Sequence, residues 1–193
     1  MKGTLGAVLA GGVGSRMGGA KVCADLHGQP LIAYPLATIA EAGLETLVLA
    51  KPSDELPPLG VPVLREPEHP RHPLCGIVAA LRAGEGRPTV VVACDIPFAS
   101  AGLIRFLAEV PEPLVVPALD GRPQPLLARY EPALLPELEA ALEREEPLAR
   151  TVEALEPRLL GEEQLSRFGD PRRLLFNVNG PADMREAEAL LTG

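Results

Sequence analysis

The sequence is poor in aromatic residues and in cysteine. Aromatic side chains make up 3% of the 193 residues and tryptophan is absent, so Leu, Val, Ala and Ile must build the core. The cysteines are Cys23, Cys75 and Cys94, an odd number without a C-x-x-C pair. This pattern argues against a disulfide framework and a zinc site, and it favours a reducing cytoplasm.

Long apolar runs are also missing. The stretch "LGAVLA" near the N-terminus is too short for the ~7–15 apolar residues of a signal peptide, and Arg16 follows soon after it. No other segment reaches the ~18 apolar residues that a membrane span needs. We therefore expect a soluble, cytoplasmic protein with no membrane contact.

Positive charge is scarce and unevenly placed. The formal net charge is −8, and only three lysines accompany fifteen arginines. Residues 1–24 contain Lys2, Arg16 and Lys21 but no acid, which gives this part +3 and leaves −11 for the remainder. An acidic protein with one cationic segment is not expected to bind nucleic acid, and it suits a small anion better.

Apolar runs and helix-length segments alternate along the chain. The length and the 47% hydrophobic content fit a single domain, residues 1–193. Candidate strands are 4–10, 45–50, 61–65, 89–95 and 113–118, and candidate helices are 30–43, 74–84, 100–109, 132–145, 147–155 and 181–191. The alternation predicts a Rossmann-like three-layer α/β/α fold with a mostly parallel sheet. A turn at Asp120–Gly121 predicts a small antiparallel addition, and 157–176 gives no clear pattern.

A glycine-rich loop, "LAGGVGSRMGGAK", follows the first candidate strand. It is not a Walker A loop, because Ala20 and Val22 flank Lys21 where glycine and a hydroxyl residue are required. It is not a dinucleotide fingerprint either, because Met17 replaces the third glycine. Backbone N–H groups in such a loop, together with Arg16 and Lys21, would bind phosphate oxygens. The alternative is a glycine-rich turn with solvated cations.

The stretch "VVVACDIPF" places Asp95 at the end of a buried strand. Ligands of open α/β sheets bind beyond the carboxyl ends of the strands, so Asp95 should lie near the glycine-rich loop. A carboxylate that faces phosphates requires a cation between them, which predicts Mg²⁺. The alternative role is the N-cap of a helix that starts near Ser100.

The other reactive side chains give weaker predictions. His27 lies in "LHGQP", a predicted hairpin turn, while His69 and His72 lie in the proline-rich segment 66–74. No serine is placed to form a hydrolase triad with them. We expect surface or loop roles for the histidines, and a core position for Cys94.

The motifs "LAGGVGSRMGGAK", "HPLCGIVAAL", "CDIPF", "RPQPLLARY" and "FNVNGPADM" occur in an order that resembles the MobA-like nucleotidyltransferases. The similarity runs from about residue 5 to 190. It implies a Mg²⁺-dependent transfer of GMP from GTP to molybdopterin with release of pyrophosphate. It also implies possible transient contact with cofactor-biosynthesis proteins or molybdoenzymes.

The resemblance assigns roles to individual residues. Arg16, Lys21 and Asp95 would be catalytic, and Asp95 and Asn179 would hold Mg²⁺. The implied nucleotide-binding residues are Leu9, Ala10, Gly11, Gly12, Gly14, Lys21, Glu66, Gly76 and Asp95. Two alternatives stay open: Glu66 as a solvated loop acid, and Asn179 as an ordinary turn residue.

Some positions depart from the pattern of the family. Ala20 stands where Asp is usual, Ala50 where Asn is frequent, and Gly180 and Ala182 where Thr and Glu are common. Gly11 resembles the guanine-using branch. The departures leave open another nucleotide, such as CTP, another acceptor, such as a sugar phosphate or phospholactate, or a non-catalytic nucleotide-binding protein.

Overall fold

A computed structural model describes residues 3–10 and 21–192 of the chain. In these residues the strands are β1 Leu5–Leu9, β2 Asp25–Leu26, β3 Gln29–Pro30, β4 Glu45–Ala50, β5 Val63–Arg65, β6 Thr89–Ala93, β7 Leu114–Leu119, β8 Arg122–Pro123, β9 Leu127–Tyr130 and β10 Arg158–Leu160. The α-helices are α1 Ala33–Glu41, α2 Pro73–Ala83, α3 Ala101–Glu109, α4 Leu135–Glu143, α5 Leu148–Ala154, α6 Glu162–Leu165, α7 Pro171–Leu174 and α8 Pro181–Thr192. Two 3-10 turns cover Lys21–Cys23 and Pro132–Leu134.

One sheet runs through the molecule in the order β10-β7-β9-β6-β1-β4-β5, and β8 pairs with β7 outside this path. The pairs that β1 makes with β4 and β6, and β4 with β5, are parallel. Strand β9 is antiparallel to both β6 and β7. The predicted mostly parallel sheet with an antiparallel addition is confirmed. The added strand is inserted between β6 and β7, because the turn after β7 sends the chain back alongside it.

Helices cover both faces of the sheet, as the apolar sequences of β1 and β6 require. Every residue of these two strands is buried. Ile39 of α1 and Leu103 of α3 pack in the cluster on one face. Ile77 of α2 and Leu138 of α4 pack in the cluster on the other. The molecule therefore has the predicted three layers.

A close approach of α1 to the sheet depends on Gly6. A Cβ atom at this position would lie 2.3 Å from Cγ2 of Ile39. Only glycine lets the helix pack this near the central strand, so the sequence "LGAVL" fixes the distance between the two layers.

The segment 157–176, which the sequence left without a prediction, adds one edge strand and two short helices. Strand β10 pairs in parallel with β7, and helices α6 and α7 follow it. The predicted helix 132–145 begins instead as a 3-10 turn, and α4 starts at Leu135. In the described ranges, no helix has both the length and the apolar character to cross a bilayer.

Candidate active site

A cavity of about 290 Å³ opens where β1, β4, β5 and β6 end. Its walls are formed by Leu9, Ala10, Lys21, Lys51, Glu66, Arg71, His72, Pro73, Gly76, Ala93, Cys94, Asp95 and Leu126. The parallel strands of the sheet have their carboxyl ends here, which is the edge where open α/β sheets bind ligands. Six residues predicted for the nucleotide site line it: Leu9, Ala10, Lys21, Glu66, Gly76 and Asp95.

Lys21 and Asp95 form an ion pair inside the cavity. The distance between Lys21 Nζ and Asp95 Oδ2 is 2.6 Å, and Lys21 Nζ also donates to Asn179 Oδ1 at 3.1 Å. The three side chains come from separate parts of the chain. The sequence predicted that they share one site, and the structure places them together.

Backbone contacts fix the position of Asp95 and Asn179. The carbonyl of Asp95 accepts from the N–H of Val178 at 2.9 Å, which joins the turn after β6 to the segment before α8. The N–H of Asn179 donates to Asp183 Oδ2 at 2.7 Å at the start of α8. Ser100, not Asp95, caps α3, since Ser100 Oγ accepts from the N–H of Leu103. The N-cap alternative for Asp95 is wrong.

The residues around Asp95 suit a hard divalent cation. Asp95 Oδ1 is buried and has no hydrogen-bond partner among residues 3–10 and 21–192, which is costly unless a ligand satisfies it. Carboxylate and amide oxygens, such as those of Asp95 and Asn179, are the donors that Mg²⁺ accepts. The described residues contain no group of three or more His, Cys, Asp or Glu side chains that could hold a metal ion. A cation here would therefore depend on phosphate or water oxygens to complete its shell.

The floor of the cavity is a close contact between β1 and α2. A Cβ atom on Gly76 would lie 3.0 Å from Cδ2 of Leu9. The carbonyl of Leu9 accepts from the N–H of Cys94 at 3.0 Å, and the N–H of Ala10 donates to Leu49 at 2.9 Å. The strand end is thus rigid up to Ala10, where the glycine-rich loop begins.

Glu66 is buried, so its alternative role as a solvated loop acid is wrong. Its side chain and that of Lys51 are each 5% exposed, and Lys51 Nζ lies 3.3 Å from Glu66 Oε2. Burial raises the pKa of Glu66, while the positive charge of Lys51 acts to lower it and Asp54 to raise it. The site therefore contains a second lysine–carboxylate pair that the sequence analysis did not include.

The sequence assigned no role to Arg71 and only a surface or loop role to His72. Both lie in the proline-rich segment and line the cavity. His72 Nδ1 accepts from the N–H of Leu74 and caps α2, while Arg71 pairs with Glu68 and donates to Ser53 Oγ. The Pro73 that starts α2 was a signal for the cap. The direction of Arg71 depends on tertiary contacts that no local pattern encodes.

The remaining sequence predictions fall partly on described residues and partly outside them. Gly11, Gly12, Gly14 and Arg16 lie outside the described residues, as does Ala20 among the departures, so their assignments stay predictions. His27 lies in the predicted hairpin turn between β2 and β3. Cys94 is buried, as expected, and burial raises the pKa of its thiol strongly. It also lines the cavity.

Fold and cavity together define an α/β protein with a ligand site at the carboxyl ends of its parallel strands. Residues 6–159 match the family described as the MobA-like NTP transferase domain. The chain is 33% identical to a probable molybdenum cofactor guanylyltransferase of Carboxydothermus hydrogenoformans, covering 92% of this chain and 91% of the relative. It is 34% identical to the molybdenum cofactor guanylyltransferase of Cereibacter sphaeroides, covering 96% of both.

Solved structures of nucleotidyltransferases have the same fold as this chain. Molybdopterin-guanine dinucleotide biosynthesis protein A of Archaeoglobus fulgidus is 26% identical, with a TM-score of 0.83 over 98% of this chain and 99% of that one. The 2-C-methyl-D-erythritol 4-phosphate cytidylyltransferase of Thermus thermophilus shares the fold, with a TM-score of 0.69 at 24% identity over all of both chains. The chain belongs to the MobA-like NTP transferase family and is a nucleotidyltransferase. Enzymes of this family generally use a divalent metal ion.

Proposed function

We propose that this protein transfers GMP from GTP to molybdopterin and releases pyrophosphate. The observation that carries the proposal is that Lys21, Glu66 and Asp95 line one cavity at the strand ends. Relatives named molybdenum cofactor guanylyltransferase, which align over more than nine-tenths of the chain, support the choice of substrates. Residues 1–193 would act as one nucleotidyltransferase domain.

The reaction is an in-line displacement at phosphorus. A phosphate oxygen of the acceptor attacks the α-phosphorus of GTP, the bond from that phosphorus to the α,β-bridging oxygen breaks, and pyrophosphate leaves with the electron pair. Because a phosphate oxygen is already nucleophilic near neutral pH, no strong general base is needed. The cavity fits this requirement, since its described lining offers the cations of Lys21 and Lys51 and the carboxylates of Glu66 and Asp95.

Individual residues have distinct roles in this proposal. Backbone groups from Leu9 and Ala10 onward, with Gly11, Gly12 and Gly14, would contact the nucleotide. Gly76 keeps the floor low enough for the ligand, and Glu66 would contact the nucleotide from the opposite wall.

The phosphate end of the site would depend on charge. Lys21 and Arg16 would bind the phosphates and stabilise the charge that grows on the leaving pyrophosphate. Asp95 and Asn179 would hold Mg²⁺, and the unpartnered Asp95 Oδ1 supports this. When bound, Mg²⁺ supplies neutralisation of phosphate charge. The three free thiols, among the described residues, support action in a reducing cytoplasm.

A pyrophosphate-release assay tests the proposal. The full chain is incubated with Mg²⁺ and each NTP, with and without molybdopterin. We expect release only when GTP and molybdopterin are both present. Release with CTP or with a sugar phosphate would assign a different substrate, and binding of GTP with no release under any condition would assign a non-catalytic nucleotide-binding protein.

A further inference from the structure

Lys51 and Glu66 occupy equivalent positions at the ends of two neighbouring strands. The parallel register of β4 and β5 pairs Ala50 with Arg65, and Lys51 and Glu66 are the next residues along each strand. The N–H of Glu66 donates to the carbonyl of Ala50 at 2.9 Å, so the pairing continues past the strand ends. Both side chains line the cavity.

The Lys51 ammonium has two backbone acceptors and one carboxylate neighbour. Nζ donates to the carbonyl of Pro67 at 2.6 Å and to that of Pro70 at 3.2 Å. Glu66 Oε2 lies 3.3 Å from Nζ, at ion-pair distance. Two of these acceptors are backbone carbonyls, which cannot rotate away. Lys51 is therefore a fixed buried charge rather than a mobile ligand-binding arm.

Glu66, in contrast, keeps acceptor capacity. Its Oε2 is buried and forms no well-aligned hydrogen bond with any described residue, although it lies within ion-pair distance of Lys51. An ionised carboxylate has about four acceptor positions, and a single lysine contact uses only one. A buried carboxylate at a cavity wall with unfilled acceptor positions suits a ligand that offers N–H donors.

We propose that Lys51 is a positioning residue that holds the Glu66 carboxyl group at the cavity wall, so that the nucleotide contact proposed for Glu66 selects a nucleobase with two adjacent N–H donors. Guanine offers such a pair on one edge, N1–H and the 2-amino group. Adenine and cytosine place an acceptor nitrogen beside their amino group on the corresponding edge. This inference rests on the proposed function, since it specifies how the same cavity chooses its nucleotide.

The electrostatics of the cavity determine how removal of Lys51 would act. Burial raises the pKa of Glu66 and Asp54 raises it further, while Lys51 lowers it. The other charged or titratable side chains that line the cavity are Lys21, Arg71, His72, Cys94 and Asp95. Without Lys51, less positive charge counteracts the effect of burial on the pKa of Glu66, so the carboxyl group binds a proton at higher pH than in wild type. A protonated carboxyl has a donor in place of an acceptor, and it would lose the base selectivity.

Calorimetric titration of the full chain with nucleotide in the presence of Mg²⁺ tests the inference. The probes are GTP and ITP, which differ only by the 2-amino group, at pH values from 6 to 9. We expect wild type to bind GTP at least about 10-fold more tightly than ITP, the value of a hydrogen bond to a charged acceptor. K51M should lose this preference at pH 6 to 7 and regain part of it as the pH rises.

Matched variants separate positioning from general stability. E66Q should lose the GTP preference at every pH, and K51M/E66Q should be no less selective than E66Q alone, because Lys51 acts through Glu66. If K51M does not fold, as circular dichroism would show, K51Q replaces it, since glutamine still donates to a Pro carbonyl. The same loss of preference is expected from K51Q.

Two results would overturn the inference. One is a K51M or K51Q variant that keeps the wild-type ratio of GTP to ITP affinity at all pH values. This includes a variant that binds both nucleotides more weakly by the same factor. The other is a K51M/E66Q variant in which the ratio of GTP to ITP affinity falls by the product of the two single-variant effects. Selective GTP binding that requires Lys51 but without pyrophosphate release would refute the proposed function alone. Pyrophosphate release with an unchanged ratio in K51M would refute this inference alone.

Discussion

Two lysine–carboxylate pairs face the same cavity, and they differ in how firmly they are held. Lys21 and Asp95 approach to 2.6 Å, with side chains 13% and 20% exposed. Lys51 and Glu66 are 3.3 Å apart and both 5% exposed. The shorter ion pair is thus the more exposed of the two.

The partners of the two lysines explain the difference. Both acceptors of Lys21, on Asp95 and Asn179, are side-chain oxygens that can rotate. Lys51 also donates to the backbone carbonyls of Pro67 and Pro70, which move only if the whole segment moves. In the proposed function, the first pair would exchange partners when phosphate and a cation bind. The second is suited to stay fixed and recognise one shape of ligand.

The largest expected effect comes from the exchangeable pair. D95N keeps an oxygen for Lys21 but removes the negative charge that a divalent cation needs. We expect Mg²⁺-dependent pyrophosphate release to fall by about 10³-fold or more, by comparison with the loss of one preorganised electrostatic group. The thermal midpoint should stay close to that of wild type.

D120N is the matched control for D95N, because Asp120 is exposed and lies in a surface ion pair with Arg172. It should retain the wild-type rate. A D95N enzyme that also keeps a near-native rate would remove Asp95 from the chemistry.

The second prediction concerns Lys21, whose ammonium takes up the oxygens that a metal ion would use. K21M should lower turnover by about 10²–10³-fold, because a phosphate-binding cation is lost. The same variant should bind Mn²⁺ more tightly than wild type without nucleotide, because the competing cation has gone. Calorimetry with Mn²⁺ measures this gain.

The exposed Arg105 provides the control for K21M, and R105M should change neither quantity. Unchanged Mn²⁺ affinity in K21M would mean that Lys21 and the metal ion do not share a site, and the contrast between the two pairs would then lose its basis.

The third prediction tests the fixed pair through stability. Because K51M leaves a buried carboxylate without a counter-ion, it should destabilise the fold by about 3–5 kcal/mol at pH 8. A carboxyl whose pKa is raised in the folded state favours folding at low pH, and this contribution is lost as the pH rises through the raised value. The deficit of K51M should therefore shrink when the pH is lowered from 8 to 5.

Urea unfolding at several pH values measures this deficit. K51M/E66Q has no carboxylate to titrate at position 66, so its deficit should not depend on pH in this way. A K51M deficit that stays constant from pH 8 to 5 would show that Glu66 does not depend on Lys51 for its charge.

Much of the fold could be predicted because the signals are local. Apolar runs fixed the strands of the parallel part of the sheet, and their alternation with helices fixed the layers. The insertion of β9 between β6 and β7 could not be predicted, since Leu127–Tyr130 carries no sign of its neighbours. The edge strand β10 is only three residues long, too short for a periodic pattern.

The two lysine–carboxylate pairs also differ in how far local sequence signals could predict them. Lys21 and Asp95 were found because glycines and a strand end mark them in the sequence. Lys51 carried a comparable signal, a rare lysine directly after an apolar strand, and it could have been included on that ground. Its pairing with Glu66 depends on the register of β4 and β5, which the sequence does not state.

The smallest expected effect lies at the floor between the two pairs, where Gly76 of α2 meets Leu9 of β1. In G76A the new Cβ would lie 3.0 Å from Leu9 Cδ2 and 3.1 Å from Cδ1, so the leucine side chain, which lines the cavity, must shift by a few tenths of an ångström. We expect a loss of about 1 kcal/mol in stability and a several-fold higher KM for GTP with little change in kcat. G60A is the control, because its Cβ would meet nothing within 4 Å. If G76A left the KM for GTP unchanged, the ligand would not contact the surface formed by Leu9 and Gly76. The two lysine–carboxylate pairs would then act without a shared contact surface.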